Sequence, residues 1–298
     1  MKHHIAAALA LSVCAIAPAA LAECPPAGYD RARLEALKAH DWAIPNARAR
    51  NAFALALTDC LASPDPEFRD DLAYQGYFAL LRHRQLTDAT MLALADNLQA
   101  RLAAPEGEGF ERPFAALILS EVARADRVQP FLTPARRAQL LDASLTWFTA
   151  IRDYRGFDDR ESWRHGVAHG ADLLLQLSLN SAFGRPELTR IRDAIATQIS
   201  PAGHFYIYGE GQRLANPIVY IATRGVFTEA EWAAWLTQVA SPAPLASWND
   251  AFSHNEDLAR VHNVAQFMQA LYLIAKLDST TADDALLQGA EAAIRTLP

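Results

Sequence analysis

The chain has 298 residues, with 34 acidic side chains against 27 lysines and arginines and a formal net charge of −7 at pH 7. This acidic balance argues against nucleic acid and anionic lipid as partners. Arginine supplies nearly all of the positive charge, because Lys2, Lys38 and Lys276 are the only lysines, and we assign no phosphate-binding role to that bias.

The first 22 residues have the pattern of a secretory signal peptide. A short basic start precedes an apolar run over residues 5–21, and Ala20-Leu21-Ala22 forms a small-residue cleavage site. The run is short for a membrane span and no stop-transfer charges follow it, which disfavours a retained anchor. We predict cleavage after Ala22 and a periplasmic or secreted, monomeric domain over residues 23–298. That domain has no membrane span and carries 34 acidic against 26 basic side chains, a net charge of −8.

Two cysteines remain after cleavage, because Cys14 leaves with the signal. In an oxidising compartment the natural pairing is a disulfide between Cys24 and Cys60. Closing a loop of about 36 residues would stabilise the fold by about 3–4 kcal/mol in the chain-entropy model. Two buried free thiols are the alternative.

Helical periodicity dominates the chain after Tyr29, and no stretch alternates convincingly with a period of two. Capping residues and helix breakers such as Thr133-Pro134 and Thr228 separate the periodic segments. The pattern predicts an all-α single domain of about twelve helices. In chain order they cover residues 29–41, 45–63, 66–84, 88–103, 109–125, 134–153, 160–181, 186–199, 213–225, 228–239, 250–276 and 281–296.

The spacing of these helices, about 46 residues per helical pair, is typical of HEAT and armadillo repeats. The runs that begin His165-x-Val-Ala and His262-x-Val-Ala can be superposed at an offset of 97 residues. We therefore predict an α-α superhelix in which the two histidines occupy matching positions on a concave, ligand-binding face. Coincidence among Ala- and Leu-rich helices is one alternative. An α/α toroid is another, disfavoured because its six helical pairs usually need a longer chain.

Residues 153–172 combine charge, aromatic rings, glycine and two histidines between two apolar helical runs. His165, His169 and Asp172 fall at positions i, i+4 and i+7, so they share one face if the segment is helical. The spacing also suits a metal ion, but Gly166 stands where the HExxH motif has its glutamate. Helix-packing histidines are commoner than metal ligands, so we predict no metal site.

Gly166 and Gly170 each cost about 1 kcal/mol relative to alanine inside a helix, which predicts close approach of a ring, a backbone or a ligand. Asp153 and Arg155, in the loop before this helix, either orient a polar substrate or form a surface ion pair.

Two further segments stand out from the helical background. Glu210 and Arg213, in a glycine-rich stretch, either line the mouth of a pocket or belong to a tight connection. A polar segment that starts at Trp248 precedes the long helix that contains His262, and we expect Asp250 or Ser253 to cap that helix.

The four motifs together resemble a bacterial family known as domain of unknown function 2785. They read Asp153-Tyr-Arg-Gly-Phe-Asp158, Trp163-x-His165-x-x-Ala168-His169-Gly-Ala-Asp172, Tyr208-Gly-Glu210-x-x-Arg213 and His262-Asn-Val-x-x-Phe267. The resemblance spans most of the mature chain and implies a mostly α-helical protein without an assigned activity. It also marks a set of positions of interest. These are Asp153, Arg155, Trp163, His165, His169, Asp172, Glu210, Arg213 and His262. Family members are often cytoplasmic, so the export signal is a departure.

The sequence contains no P-loop, no dinucleotide fingerprint and no local signature of a nucleophile, and no cofactor follows from it. We predict that the protein binds a peptide or small polar ligand on a face lined by His165, His169, Asp172, Glu210 and His262. In that interpretation Asp153, Arg155, Trp163 and Arg213 complete the binding site.

An enzyme is the alternative: a hydrolase or lyase, metal-dependent or not, with His165 or His169 as general base and Asp172 as its orienting group. In it, Arg155 or Arg213 holds an anion. A scaffold with core histidines is the third interpretation.

Overall fold

Helices make up nearly all of the regular structure in the computed structural model, which describes residues 24–298. The twelve α-helices are α1 (Arg31–Ala39), α2 (Ala47–Ala56), α3 (Gln75–Arg82), α4 (Asp88–Ala103), α5 (Glu111–Val128), α6 (Pro134–Ala150), α7 (Gly166–Ser178), α8 (Arg185–Ile199), α9 (Glu210–Ala222), α10 (Glu229–Val239), α11 (Asn255–Leu277) and α12 (Leu287–Ile294). The predicted all-α single domain is confirmed. The predicted signal peptide lies outside the described residues.

Shorter elements fill some of the connections. Three 3-10 segments span Leu57–Ala62, Trp248–Ser253 and Asp284–Leu286, and a π-helix spans Glu67–Tyr74. Two strands, β1 (Phe157–Asp158) and β2 (Ser162–Trp163), pair antiparallel. Within residues 24–298 no helix combines the length and apolar character needed to cross a membrane.

Several helices begin where local side chains satisfy their first amide groups. The hydroxyls of Thr87, Thr133 and Thr228 accept hydrogen bonds from the third residue of α4, α6 and α10. The Glu231 carboxylate accepts a hydrogen bond from the Thr228 amide and completes a capping box. These signals are local, which is why the predicted bounds of α4, α6 and α10 agree with the structure to within three residues.

The helices stack in two rows, since helices two apart in the chain pack side by side. One row runs α3, α5, α7, α9 and α11, and a second runs α2, α4, α6 and α8, with α10 packed on α12. Among the described residues the ends of the first row, α3 and α11, make no extended contact, so the row is open. An open double row is the arrangement of an α-superhelix and differs from a closed toroid.

The first row is packed closely enough to require glycine. A Cβ on Gly170 of α7 would lie 2.5 Å from a ring carbon of Phe148. A Cβ on Gly211 of α9 would lie 3.2 Å from the backbone of Phe267 in α11. The close ring predicted from Gly170 is therefore present, supplied by the neighbouring α6. Gly166 meets only ordinary van der Waals distances, and the prediction for it was wrong.

A disulfide joins Cys24 to Cys60, as the sequence predicted, with the two Cα atoms 4.9 Å apart. Cys60 is fully buried in the 3-10 segment that continues α2. The bond thus fixes the segment before α1 to the beginning of the helical stack.

The helix predicted over residues 160–181 begins only at Gly166. The preceding residues form the β1–β2 hairpin, whose turn is held by the Asp158 carboxylate as it accepts the amides of Arg160 and Glu161. Ser162 and His165 adopt left-handed backbone conformations, with φ of 60° and 53°. His165 is consequently the residue before the first turn of α7 rather than a residue within it.

The proposed equivalence of His165 and His262 was also wrong. His165 precedes α7, whereas His262 lies about two turns inside α11. The residues that do match along the row are others. Phe114, His169 and Arg213 are each the fourth residue of their helices, α5, α7 and α9.

Candidate functional site

A cavity of about 360 Å³ lies beside the first two turns of α5, α7 and α9, and we refer to it as the central cavity. Its lining residues come from six elements: the π-helix, α5, the hairpin with the residue before α7, α7 itself, the segment leading into α9, and α9. They are Asp70, Tyr74, Phe114, Leu117, Trp163, His165, His169, Asp172, Tyr208 and Arg213. The fourth residues of three successive row helices, Phe114, His169 and Arg213, thus meet at one place.

His165 is positioned by a buried carboxylate and by an aromatic ring. Its Nε2 lies 3.4 Å from Oε1 of Glu210, a charge contact that is longer than an ordinary hydrogen bond. The Trp163 ring stacks on the imidazole with 4.7 Å between centroids and 22° between planes. Because the left-handed backbone turns the side chain away from the helix axis, His165 reaches both partners at once.

Glu210 is the buried anchor of this arrangement, with 2% of its surface exposed. Its Oε2 accepts a hydrogen bond from the amide of Tyr208 at 2.9 Å. Burial by itself would raise its pKa, but the nearby His165 ring and the hydrogen bonds from backbone amides hold the pKa below its usual value. Glu210 is therefore an ionised carboxylate fixed behind the histidine.

His169 lies one turn further along α7 and is 8% exposed. Its ring centroid is 5.7 Å from that of His165 and 5.2 Å, edge to face, from that of Phe114. Burial, followed by the charges of His165 and Arg213, lowers its pKa well below the usual value. The ring is thus neutral at physiological pH, and its buried Nδ1 has no hydrogen-bond partner.

Asp172 forms an ion pair with Arg213 across the gap between α7 and α9. Burial raises the pKa of Asp172, and the Arg213 charge opposes that rise. The sequence predicted Asp172 as the group that orients a catalytic histidine, but in the structure Glu210 has that place. Glu210 is the first residue of α9 and lies beside His165, the residue before α7, whereas Asp172 lies further along α7, beside Arg213.

Five lining residues were missed by the sequence analysis: Asp70, Tyr74, Phe114, Leu117 and Tyr208. Asp70 and Tyr74 come from the π-helix, an element often found at functional sites. Burial raises the pKa of Asp70. Tyr208 stood within the glycine-rich segment that the sequence did single out, so position in that segment was its available signal.

The buried guanidinium of Arg69 places the π-helix against the hairpin. Arg69 has no exposed surface, stacks over the Phe110 ring at 4.0 Å, and donates hydrogen bonds to the Asp70 carboxylate and to the Glu161 carbonyl. Arg164 covers the same ring at 4.1 Å. These contacts fix Asp70 and Trp163 in the wall of the central cavity.

Four of the predicted ligand-binding residues do not line the central cavity: Glu210 lies behind His165, and Asp153, Arg155 and His262 lie elsewhere. Asp153 and Arg155 form a partly exposed ion pair with 2.9 Å between Nε and Oδ1. Arg155 lines a neighbouring cavity of about 310 Å³ that shares Tyr208 with the central cavity. Their structural interpretation, a surface ion pair, is the one that the structure shows.

His262 supports the segment leading into α9 from behind. Its Nε2 lies 3.1 Å from the Tyr206 carbonyl and 2.9 Å from Nε2 of Gln266. Asn263 beside it accepts the Tyr206 amide and donates to the carbonyl of His204. His262 therefore positions the approach to Tyr208 and Glu210 without lining the central cavity.

Among residues 24–298, no group of three or more histidine, cysteine or acidic side chains is arranged to hold a metal ion. The chemistry available in the central cavity is that of a neutral imidazole, an imidazole held by a carboxylate, an arginine–aspartate pair and two phenols.

Comparison with known proteins gave one match. A family model described as "Protein of unknown function (DUF2785)" matches residues 98–273, more than half of the chain. The matched range starts within α4 and ends within α11, so it contains every lining residue of the central cavity except Asp70 and Tyr74. No curated protein and no solved structure matches the chain.

Proposed function

The chain belongs to the DUF2785 family, as its motifs predicted, and from its central cavity we propose that it binds a small polar ligand beside the N-terminal turns of α5, α7 and α9. The observation that carries the proposal is the convergence of two histidines and an aspartate–arginine ion pair in the wall of one open cavity. Ligand pockets typically place a few convergent polar groups in this way.

The size of the cavity supports a small ligand rather than a length of peptide. Its volume of about 360 Å³ is near the lower end of the range of about 300–1,000 Å³ typical of ligand pockets. A single chain supplies all of the lining residues, so the site needs no second copy. Export to the periplasm remains part of the proposal and is supported by the disulfide.

A thermal-shift screen tests this proposal. The purified protein is heated with amino acids, sugars, carboxylic acids, amines and short peptides, and a ligand raises the unfolding midpoint in a concentration-dependent way. We expect the shift to be lost in Arg213→Gln. The matched control is Arg190→Gln, which breaks the exposed ion pair of Arg190 with Asp142 away from the cavity. A ligand that stabilises both variants equally binds elsewhere and would refute the proposal.

One observation favours an enzyme as a second candidate: the contact of His165 with the ionised Glu210 beside an open cavity. A carboxylate in that position orients an imidazole and stabilises its protonated form, which is what a general base of a hydrolase or lyase requires. Turnover of chromogenic esters, amides or glycosides that is lost in His165→Gln would support it. A purely structural role fits less well, because both histidines line a cavity instead of bonding within the core.

A further inference from the structure

We infer that the ligand of the central cavity is an uncharged, hydroxyl-rich molecule of about the size of one sugar ring. The inference rests on the proposed function, that this cavity binds a small polar ligand. It is carried by the pairing of the charges around the cavity, the mixture of hydrogen-bond donors and acceptors in its wall, and its aromatic surfaces.

Every carboxylate at the central cavity already has a basic partner. Asp172 pairs with Arg213, and Glu210 contacts His165. Asp70 accepts Nε of the buried Arg69 at 2.8 Å. Glu121, whose charge reaches both Tyr74 and Asp172, pairs with Arg82 at 2.7 Å.

A charged ligand would therefore have to displace one member of an existing pair and leave the other uncompensated in a partly desolvated site, which is strongly unfavourable. Helix N-termini do favour anions. However, Glu111 and Glu210 already occupy the first turns of α5 and α9, and Asp172 lies in the second turn of α7. Each carboxylate in or behind the wall is thus already engaged by a basic side chain.

The polar atoms of the wall include both donors and acceptors. The Asp70 and Asp172 carboxylates only accept, Arg213 only donates, and the Tyr74 phenol does both. The Tyr208 hydroxyl donates to the Phe157 carbonyl at 3.1 Å, so it can accept from a ligand. An ammonium group on a ligand can only donate hydrogen bonds, and a carboxylate can only accept them. Either group would therefore satisfy only part of the polar atoms of the wall. A hydroxyl group donates and accepts, and neighbouring hydroxyls on one ring can serve the whole set.

His169, whose Nδ1 is buried, agrees with this assignment through the part of its ring that lines the cavity. Because the ring is neutral, one nitrogen carries a proton and the other a lone pair. A hydroxyl group can bond to the exposed side of such a ring in either tautomer. A cation would meet the proton-bearing nitrogen in one tautomer, and an anion would meet the lone pair in the other.

Aromatic side chains form the remaining wall: Tyr74, Phe114, Trp163 and Tyr208. The faces of these rings carry partial negative charge and attract C–H groups of partial positive charge. A saturated ring with hydroxyl groups at its edge presents C–H groups on its faces. Such a molecule can contact the aromatic surfaces and the polar atoms at the same time.

The test compares sugars that share one ring and differ only in charge. Isothermal titration calorimetry and ligand-observed NMR are carried out on the purified full chain with neutral hexoses and disaccharides, the matching 2-amino sugars and the matching uronic acids. We expect at least one neutral sugar to bind, and its amino and uronic counterparts to bind at least tenfold more weakly. Tyr74→Phe, which keeps the ring and removes one hydroxyl, should weaken neutral-sugar binding about tenfold. Tyr220→Phe, at an exposed tyrosine outside the cavity, should not.

The other outcomes overturn the inference in separable ways. Tighter binding of the amino sugars would make the ligand a cation, and tighter binding of the uronic acids would make it an anion. If no sugar binds but another compound gives an Arg213-dependent thermal shift, the ligand class is wrong and the proposed binding function stands. If no compound binds at the cavity, both are wrong.

Discussion

The central cavity is smaller than a second cavity near the C terminus, but its wall carries the ionisable side chains that the wall of the second cavity lacks. The C-terminal cavity has about 620 Å³ and lies among α10, α12 and the Trp248–Ser253 segment. Its lining consists of alanine, serine, threonine, proline, one tryptophan and one asparagine. The central cavity has about 360 Å³ and is lined by two histidines, two aspartates and an arginine.

The difference teaches that volume alone is a poor guide to function. A cavity forms wherever side chains of unequal size meet between two rows of helices. At the protein surface water fills such a cavity, so it costs little folding free energy. Burying ionisable groups costs much more unless they are paired. At the central cavity that larger cost is met beside open space, where His169 and Asp172 line the wall and Glu210 is buried behind His165.

The largest effect that we expect is a loss of stability on removal of the disulfide. The same change tests whether the central cavity forms independently of the N-terminal helices. Replacing Cys24 and Cys60 by serine removes the disulfide and should lower the free energy of unfolding by about 3–4 kcal/mol. Urea denaturation measures that loss. Ligand affinity at the central cavity should stay within about twofold, since the disulfide lies outside its wall. A large loss of affinity in a folded variant would show that the cavity depends on the N-terminal helices.

A smaller effect is expected from Glu210→Gln, which keeps the size of the side chain and removes its charge. The histidine loses its counter-charge, and ligand affinity should fall by about 1–3 kcal/mol, the cost of disturbing a buried hydrogen-bonded group. Calorimetric titration provides the measurement. The control is Asn249→Ala in the C-terminal cavity, for which we expect unchanged affinity. Equal losses in both variants would remove the distinction between the two cavities.

The pH dependence of stability has opposite signs for His169 in the central cavity and for Asp283 near the C terminus. The pKa of His169 is lower in the folded protein than in the unfolded chain, so below about pH 6.5 the unfolded state binds the extra proton. Stability should be fully present above that pH and fall by up to about 1.4 kcal/mol per pH unit as the solution is acidified. Denaturation at pH 7.5, 6.0 and 5.0 should show a shallower decline for His169→Gln. An unchanged slope would mean that the histidine titrates normally.

The smallest effect concerns Asp283, beside the last helix, and has the opposite sign. Burial and then the Asp278 charge raise its pKa from 3.8 to about 6, and neither carboxylate oxygen has a partner. The folded state therefore holds the proton more tightly, and stability is lost as pH rises from about 4 through 6. Asp283→Asn should stabilise the protein at pH 7.5 by about 1 kcal/mol and have little effect at pH 4. Asp284→Asn serves as the control, and equal stabilisation by both would point to general charge repulsion.

The order and extent of the helices followed from the sequence because their signals are local. Apolar residues at a spacing of three and four, together with caps such as Thr87 and Thr133, act within one helix. The starts of α7, α11 and α12 were exceptions, since each lies five or six residues later than predicted. Before α7 the β1–β2 hairpin is held by Arg69, which is far away in the chain, and by Asp158.

The site was found in part for the same reason. His165, His169, Asp172 and Arg213 stood out as unusual residues in helical segments, and the structure brings all four to one cavity. Asp153, Arg155 and His262 were equally unusual in sequence, yet they form a surface pair and a loop support. Unusual composition marks a site together with its supports and does not separate the two.

The sequence by itself determined the all-α fold, the order of the helices, the disulfide between Cys24 and Cys60, and the segment that contains the histidines. Only the tertiary structure decided the pairing of Glu210 with His165 and of Asp172 with Arg213. It also decided that Asp70 and Tyr74 line the central cavity. Helix formation depends on neighbours within about four residues. The pairs at the cavity depend on how α7 and α9 pack against each other, an arrangement of residues far apart in the chain that no local pattern encodes.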